Sequence, residues 1–138
     1  MRILRIVFLT LMLIPLPSLA ELVIVTSTNS PINSLTENEV RQLFSGQLRS
    51  ISGQRLQPLD LSARDSTREL FYQKLMGRGP DQMRAYWTRL IFTGQGQPPR
   101  EVSGVQELLT LSASSTEYVG YLPADQVTGQ LRVLYRMK

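Results

Sequence analysis

Neither cysteine nor histidine occurs in this chain of 138 residues. Without thiols there is no disulfide framework and no thiolate nucleophile. Without imidazole there is no Ser-His-Asp or Cys-His site and no His/Cys zinc site. Carboxylates are left for acid/base or metal work, and their spacing gathers them into no site, so neither an enzyme nor a bound cofactor is expected. Aromatic residues are few, at 7%, with a single tryptophan, Trp87. Charged residues make up 19% and hydrophobic residues 42%, which is globular rather than disordered composition.

A long apolar run is missing too. Ile6 to Ile14 is apolar apart from Thr10, too short for a helix across a ~30 Å hydrocarbon core. Arg2 and Arg5 precede it, Pro15 and Pro17 end it, and Ser18-Leu19-Ala20 puts small residues two apart before Glu21. That is the pattern of a secretory leader cleaved after Ala20. No cysteine follows to carry a lipid anchor. The expectation is a signal peptide over 1–20 and one exported, periplasmic domain over 21–138, with no membrane span after cleavage. Losing Arg2 and Arg5 takes the net charge from +4 to +2, which is no nucleic-acid footprint.

Leu22-Val23-Ile24-Val25-Thr26 reads as a strand buried on both faces, as in a parallel sheet. Leu35, Thr36, Glu39 and Val40 spell a capping box with a hydrophobic staple, so a helix runs from Thr36 to about Phe44 and stops at Gly46. Gln47 to Gln54 suits a loop or hairpin. Arg55 to Leu61 is a weaker strand that Pro58 makes irregular or places at an edge. A second helix covers Thr67 to Met76, with Thr67, Leu70, Phe71, Lys74 and Leu75 on one face, and Gly77 ends it. Pro80 opens a third, to about Phe92, whose buried face is Met83, Tyr86, Trp87, Leu90 and Ile91. Gly94 to Pro99 is a polar connection. Ser103 with Gln106 caps a short helix through Leu111. Tyr118 to Tyr121 reads as a strand, Pro123 to Val127 as one turn of helix, and Leu131 to Tyr135 as a last strand. The fold class is α/β, a small sheet covered by helices.

Two segments could bind a ligand. In Leu61 to Phe71 a strand feeds a helix whose first turn holds Ser66 and Thr67, with Arg64 and Arg68 on either side of Asp65. Outward backbone N–H groups at a helix start attract phosphate, sulfate or carboxylate, and hydroxyls and arginines add donors. The plainer alternative is an ordinary cap, Ser66 with Glu69. The second segment is Ser27-Thr28-Asn29-Ser30, in the loop after the first strand, where ligands sit in open parallel sheets. Its plainer reading is a polar loop before Pro31. Gly120, between Tyr118 and Tyr121, either admits a ligand to the backbone or marks a bulge.

Four stretches of this chain resemble the periplasmic phosphate-binding proteins of ABC transporters, which have the type II periplasmic binding protein fold. They are Val23-Ile24-Val25 through Asn29-Ser30-Pro31-Ile32 to Leu35-Thr36; Val40 to Gly46; Arg68-Glu69-Leu70-Phe71-Tyr72 through Leu75-Met76-Gly77; and Tyr86 to Pro99, with Val119-Gly120-Tyr121 later. The last long stretch is similar to a short, single-lobe branch of that family. The resemblance implies one lobe of the fold, with a small mixed sheet. It also implies substrate binding of phosphate at a Ser-Gly-Thr helix start preceded by an arginine. Aligned on Phe71, those positions fall on Asp65, Ser66 and Thr67. The arginine falls near Leu61, with Arg64 displaced from it.

Two functions of different classes follow. One is a periplasmic solute-binding protein taking phosphate or another small oxyanion, with Ser27, Thr28, Arg64, Asp65, Ser66, Thr67 and Arg68 as its ligand-binding residues. The other is a non-transport adaptor, a binding-protein lobe that has lost its ligand and docks on an envelope protein.

Overall fold

The computed structural model describes residues 21–138. The expected leader lies outside the described residues. Strand β1 (Leu22–Ser27) is followed by helix α1 (Glu37–Phe44) and a hairpin of β2 (Ser50–Ile51) and β3 (Gln54–Arg55). Next come β4 (Gln57–Asp60), α2 (Ser66–Met76), α3 (Pro80–Thr93), β5 (Arg100–Glu101) and α4 (Val105–Ser114). The chain ends with β6 (Tyr118–Pro123), a 3-10 turn at Ala124–Gln126, and β7 (Leu131–Arg136). The five-stranded sheet has the order β5-β4-β6-β1-β7.

All six residues of β1 are buried, yet the strand runs antiparallel to both neighbours, β6 and β7. The expected parallel setting is corrected. An unbroken apolar run reports cover on both faces, and helices supply that cover here whatever the strand direction. Side chains alternate across the sheet, so Gly120 faces α4 while Tyr121 faces the other layer. There Tyr121 stacks on Phe71 of α2, with centroids 3.7 Å apart, and meets Phe44 of α1 edge-on at 5.8 Å.

The β4, β5 and β6 strands are parallel. Between β4 and β5 the chain passes through α2 and α3; between β5 and β6 it returns through α4 to the other side of β4. The strand order therefore reverses around β4, and a crevice opens beyond its carboxyl end, which is where open sheets of this kind place ligands. Pro58 is interior to the sheet, not at its edge. Gln57 N donates to Glu117 O on the β6 side. The next nitrogen, that of Pro58, thus faces the β5 side, where pairing begins only at Leu59.

Thr36 and Glu39 form the expected capping box, at 3.1 and 3.0 Å, over the buried Leu35 and Val40. Helix α2 buries Phe71, Tyr72 and Leu75, so Tyr72 belongs to the apolar face and Lys74 does not. Helix α3 buries Met83, Trp87 and Leu90, half-buries Tyr86, and leaves Ile91 exposed. The fourth helix starts at Val105 and runs on to Ser114; Ser103 bonds Glu107, not Gln106. A Cβ on Gly120 would stand 2.9 Å from Leu108 Cδ2. This glycine exists for close packing of α4 on β6, neither for a ligand nor for a bulge; the irregularity lies between β1 and β7, at Ile24/Val25.

Candidate functional site

The crevice beyond β4 is bordered by the start of α2. Asp65, in extended backbone, is the N-cap, and its Oδ1 accepts a hydrogen bond from Thr67 N at 2.9 Å. Its carbonyl accepts from Arg68 N and Glu69 N at 3.1 and 3.4 Å. The cap is thus one residue earlier than a Ser66–Glu69 box. Ser66 and Arg64 are exposed and Thr67 is half-buried. A carboxylate at a helix start stabilises by about 0.3–1 kcal/mol through the helix dipole. It also stands where an incoming anion would seek the same N–H groups.

Arg68 turns inward from this helix start. Its Nε donates to Asp60 Oδ2 at 3.1 Å, with side-chain exposures of 14% and 6% for the two partners. The Asp60 carboxylate also accepts from the Tyr72 hydroxyl at 2.7 Å and from the Tyr121 hydroxyl. The Tyr121 oxygen in turn accepts from Leu61 N at 3.1 Å. Every member of the cluster has a partner, the condition under which a buried charge is tolerated. Burial first, then the negative charge of Asp60 and its hydrogen bonds, pushes both phenols up, well above their ordinary range. Burial pulls the Arg68 guanidinium down, but Asp60 and the two phenols hold it above its usual value.

Asp60 and the two tyrosines were not among the residues expected to form a site. The signal was present: one carboxylate flanked by Leu59 and Leu61 in a strand otherwise bound for the core. Its partners come from α2 and β6, 8 to 61 residues away, and only the fold joins them.

Ser27 and Thr28 lie elsewhere. The pairings Val25 with Gly120, Pro58 with Val119 and Gln57 with Tyr118 put the end of β1 beside the amino ends of β4 and β6. The two candidate segments therefore lie at opposite ends of the strands, Arg64 to Arg68 beyond the carboxyl end of β4 and Ser27 and Thr28 by its amino end. Ser27 is buried, and its Oγ accepts from Asn29 N. The carbonyls of Thr28, Ser30 and Ile32 converge on the Arg132 guanidinium at 2.7–2.9 Å. The loop thus turns these backbone carbonyls towards Arg132.

A groove of about 400 Å³ adjoins the Asp60–Arg68 pair. Pro80, Arg84, Trp87, Thr88 and Ile91 of α3 form one wall, and Pro98, Pro99 and Glu101 face them. The indole of Trp87 is buried, so the lone tryptophan is largely core, and its Nε1–H has no hydrogen-bond partner. Among the described residues no three carboxylates approach closely enough to hold a metal ion, and no helix is long and apolar enough to cross a membrane.

The architecture matches solved structures at TM-scores of 0.60 to 0.67. The fold is that of the phosphate ABC transporter substrate-binding proteins. An ABC-type phosphate transport receptor from Vibrio cholerae is 19% identical with a TM-score of 0.66, the match covering 83% of this chain and 45% of that one. A putative phosphate ABC transporter substrate-binding protein with bound phosphate from Clostridium perfringens is 12% identical at 0.67, covering 83% and 44%. PstS from Borrelia burgdorferi is 13% identical at 0.60, covering 83% and 46%. The chain thus spans less than half the length of these binding proteins. No family model matches it, and no curated protein does.

Proposed function

We propose that this is an exported, periplasmic binding-protein lobe that serves as an adaptor for a protein partner instead of carrying phosphate. One observation carries the reading: the Asp65 carboxylate takes the Thr67 N–H at 2.9 Å, the donor an anion at this helix start would need. Magnitudes favour the same side. A phosphate oxygen held about 4 Å from that carboxylate meets roughly 4 kcal/mol of repulsion per unit charge at an effective dielectric of 20. The helix end returns about 0.3–1 kcal/mol. Arg68, in the first turn of this helix, already spends its Nε on Asp60. The leader pattern of residues 1–20 supports export.

The second reading keeps a small oxyanion at Arg64, Ser66, Thr67 and Arg68. It is favoured by neighbours whose names give phosphate as their ligand, one of them with phosphate bound. Titration of isotopically labelled protein with inorganic phosphate separates the two. The protein is taken from the exported fraction, where intact mass also reports whether residues 1–20 are gone. Expected are flat amide shifts at Ser66 to Arg68 in the wild type into the high millimolar range. Asp65→Ser, which removes the competing carboxylate, acquires a weak response. Saturating shifts in the wild type would overturn the adaptor reading.

A further inference from the structure

A hollow of about 410 Å³ opens between α1, the end of α2 and α3. It lies at the opposite end of α2 from Asp65. The 11 residues of that helix, rising about 1.5 Å each, separate the two ends by about 16 Å. Leu75, Met76 and the Tyr86 ring form the apolar part of the lining. The rest is polar: Asn38, Gln42, Ser45 and Gln47 with Arg41 and Arg78. No carboxylate lines it.

The fold holds both arginines in place. Arg41 Nε donates to Leu75 O at 3.2 Å, and its Nη2 to Glu37 Oε1 at 3.0 Å. The Arg78 guanidinium lies over the Tyr86 ring, 5.0 Å from its centroid, and the Tyr86 hydroxyl donates to Ser45 O. Glu37 thus offsets the charge of Arg41. Arg78 enters no ion pair among the described residues, so one positive charge is left without a partner. The hydrogen bonds that frame the hollow use Arg41, Ser45 and Tyr86. They leave the side-chain amides of Asn38, Gln42 and Gln47 unengaged.

We propose that this hollow binds a small hydroxylated carboxylate of the sugar-acid type. The site does not rest on the adaptor reading. Arg78 is the partner for the carboxylate, because a guanidinium stacked on a ring keeps its in-plane N–H fork for a bidentate acceptor. The amides select hydroxyls. Each amide carries donors and an acceptor, and a hydroxyl is itself both. A phosphate dianion or a bare carboxylate only accepts, so the amide oxygens would face it without a donor. Leu75, Met76 and Tyr86 supply apolar surface for the C–H face of a sugar ring. The volume falls within the ~300–1,000 Å³ of small-molecule sites, with more room than a phosphate or acetate ion takes.

The test is titration of isotopically labelled protein with D-glucuronate, read at the side-chain NH₂ signals of Asn38, Gln42 and Gln47 and at Arg78 Nε–H. D-glucose, D-glucosamine, acetate and trialanine with a free carboxylate are titrated in parallel. Expected are shifts at these groups that saturate with glucuronate in the millimolar range, with each comparison compound at least tenfold weaker. Arg78→Gln should weaken glucuronate binding about tenfold or more, since it removes the charge-assisted pair. Asn38→Ala, an exposed position, should weaken it by a smaller factor. Circular dichroism should show both variants folded. Flat signals with glucuronate would overturn the proposal. So would an equal response to glucose or glucosamine, which removes the carboxylate from recognition. An equal response to acetate would remove the hydroxyls, and tighter binding of trialanine would make the site one for peptide ends. The phosphate titration is read at Ser66 to Arg68, at the other end of α2, so either result can fail without the other.

Discussion

Replacing Asp60 by Asn tests the buried cluster with almost no change of shape. The carboxylate, 6% exposed, accepts from Arg68 Nε, Tyr72 Oη and Tyr121 Oη. The amide keeps one acceptor oxygen and turns an NH₂ group towards the donor-only Arg68 or towards a phenol that must then accept where it had donated. It also removes the negative charge paired with Arg68, whose side chain is 14% exposed. An ion pair at about 4 Å and an effective dielectric of 20 contributes roughly 4 kcal/mol, and losing one partner of a buried pair costs about 3–5 kcal/mol. Asp60→Asn should therefore lower the unfolding free energy by about 3–5 kcal/mol, a large part of the ~5–15 kcal/mol of a domain this size. Arg68→Met should cost less, about 1–3 kcal/mol, because Asp60 keeps both phenolic donors. Urea unfolding followed by far-ultraviolet circular dichroism measures both variants and the double variant. The double should be less damaged than the sum, with a coupling of about 0.5–3 kcal/mol. A loss under about 1 kcal/mol for Asp60→Asn, or simple additivity, would refute the reasoning that the two charges depend on each other.

Two further outcomes follow from the same core. Burial and Asp60 raise the pKa of Tyr72 and Tyr121 above the ordinary value of 10.0, so the neutral phenols stabilise the fold fully below pH 10 and progressively less as pH rises beyond it. Alkaline titration should show their phenolate absorbance only together with loss of the circular dichroism signal; their ionisation in a still-folded chain would contradict the cluster. Gly120→Ala should cost about 1–3 kcal/mol by overpacking, since its Cβ would lie 2.9 Å from Leu108 Cδ2 with no left-handed backbone to add strain. Adding Leu108→Ala should leave the double variant less destabilised than the sum of the singles, and strict additivity in chemical denaturation would count against that contact.

What the sequence determined by itself was local. The Thr36–Glu39 box, the glycine stop at Gly77, Pro80 in the first turn of α3 and the buried run of β1 act over a few residues, and the structure keeps each of them. The α/β class was legible from the same signals, whereas the mixed sheet was implied only by the family resemblance; the structural neighbours share that fold. Direction and partnership were not legible. Two buried faces read alike in parallel and antiparallel strands, so only the pairing of β1 with β6 and β7 decided that Ser27 and Thr28 stand at the opposite end of the strands from Arg64 to Arg68. Ile91 and Trp87 are both apolar on one helix. Which of them meets the core depends on where α3 lies against Gly46, which admits the Trp87 ring with room for no side chain of its own. Asp60 looked like the end of a weak strand until two tyrosines and an arginine from distant segments closed around it. A carboxylate's environment is set by groups within a few ångströms in space, and the chain brings those together only when it folds.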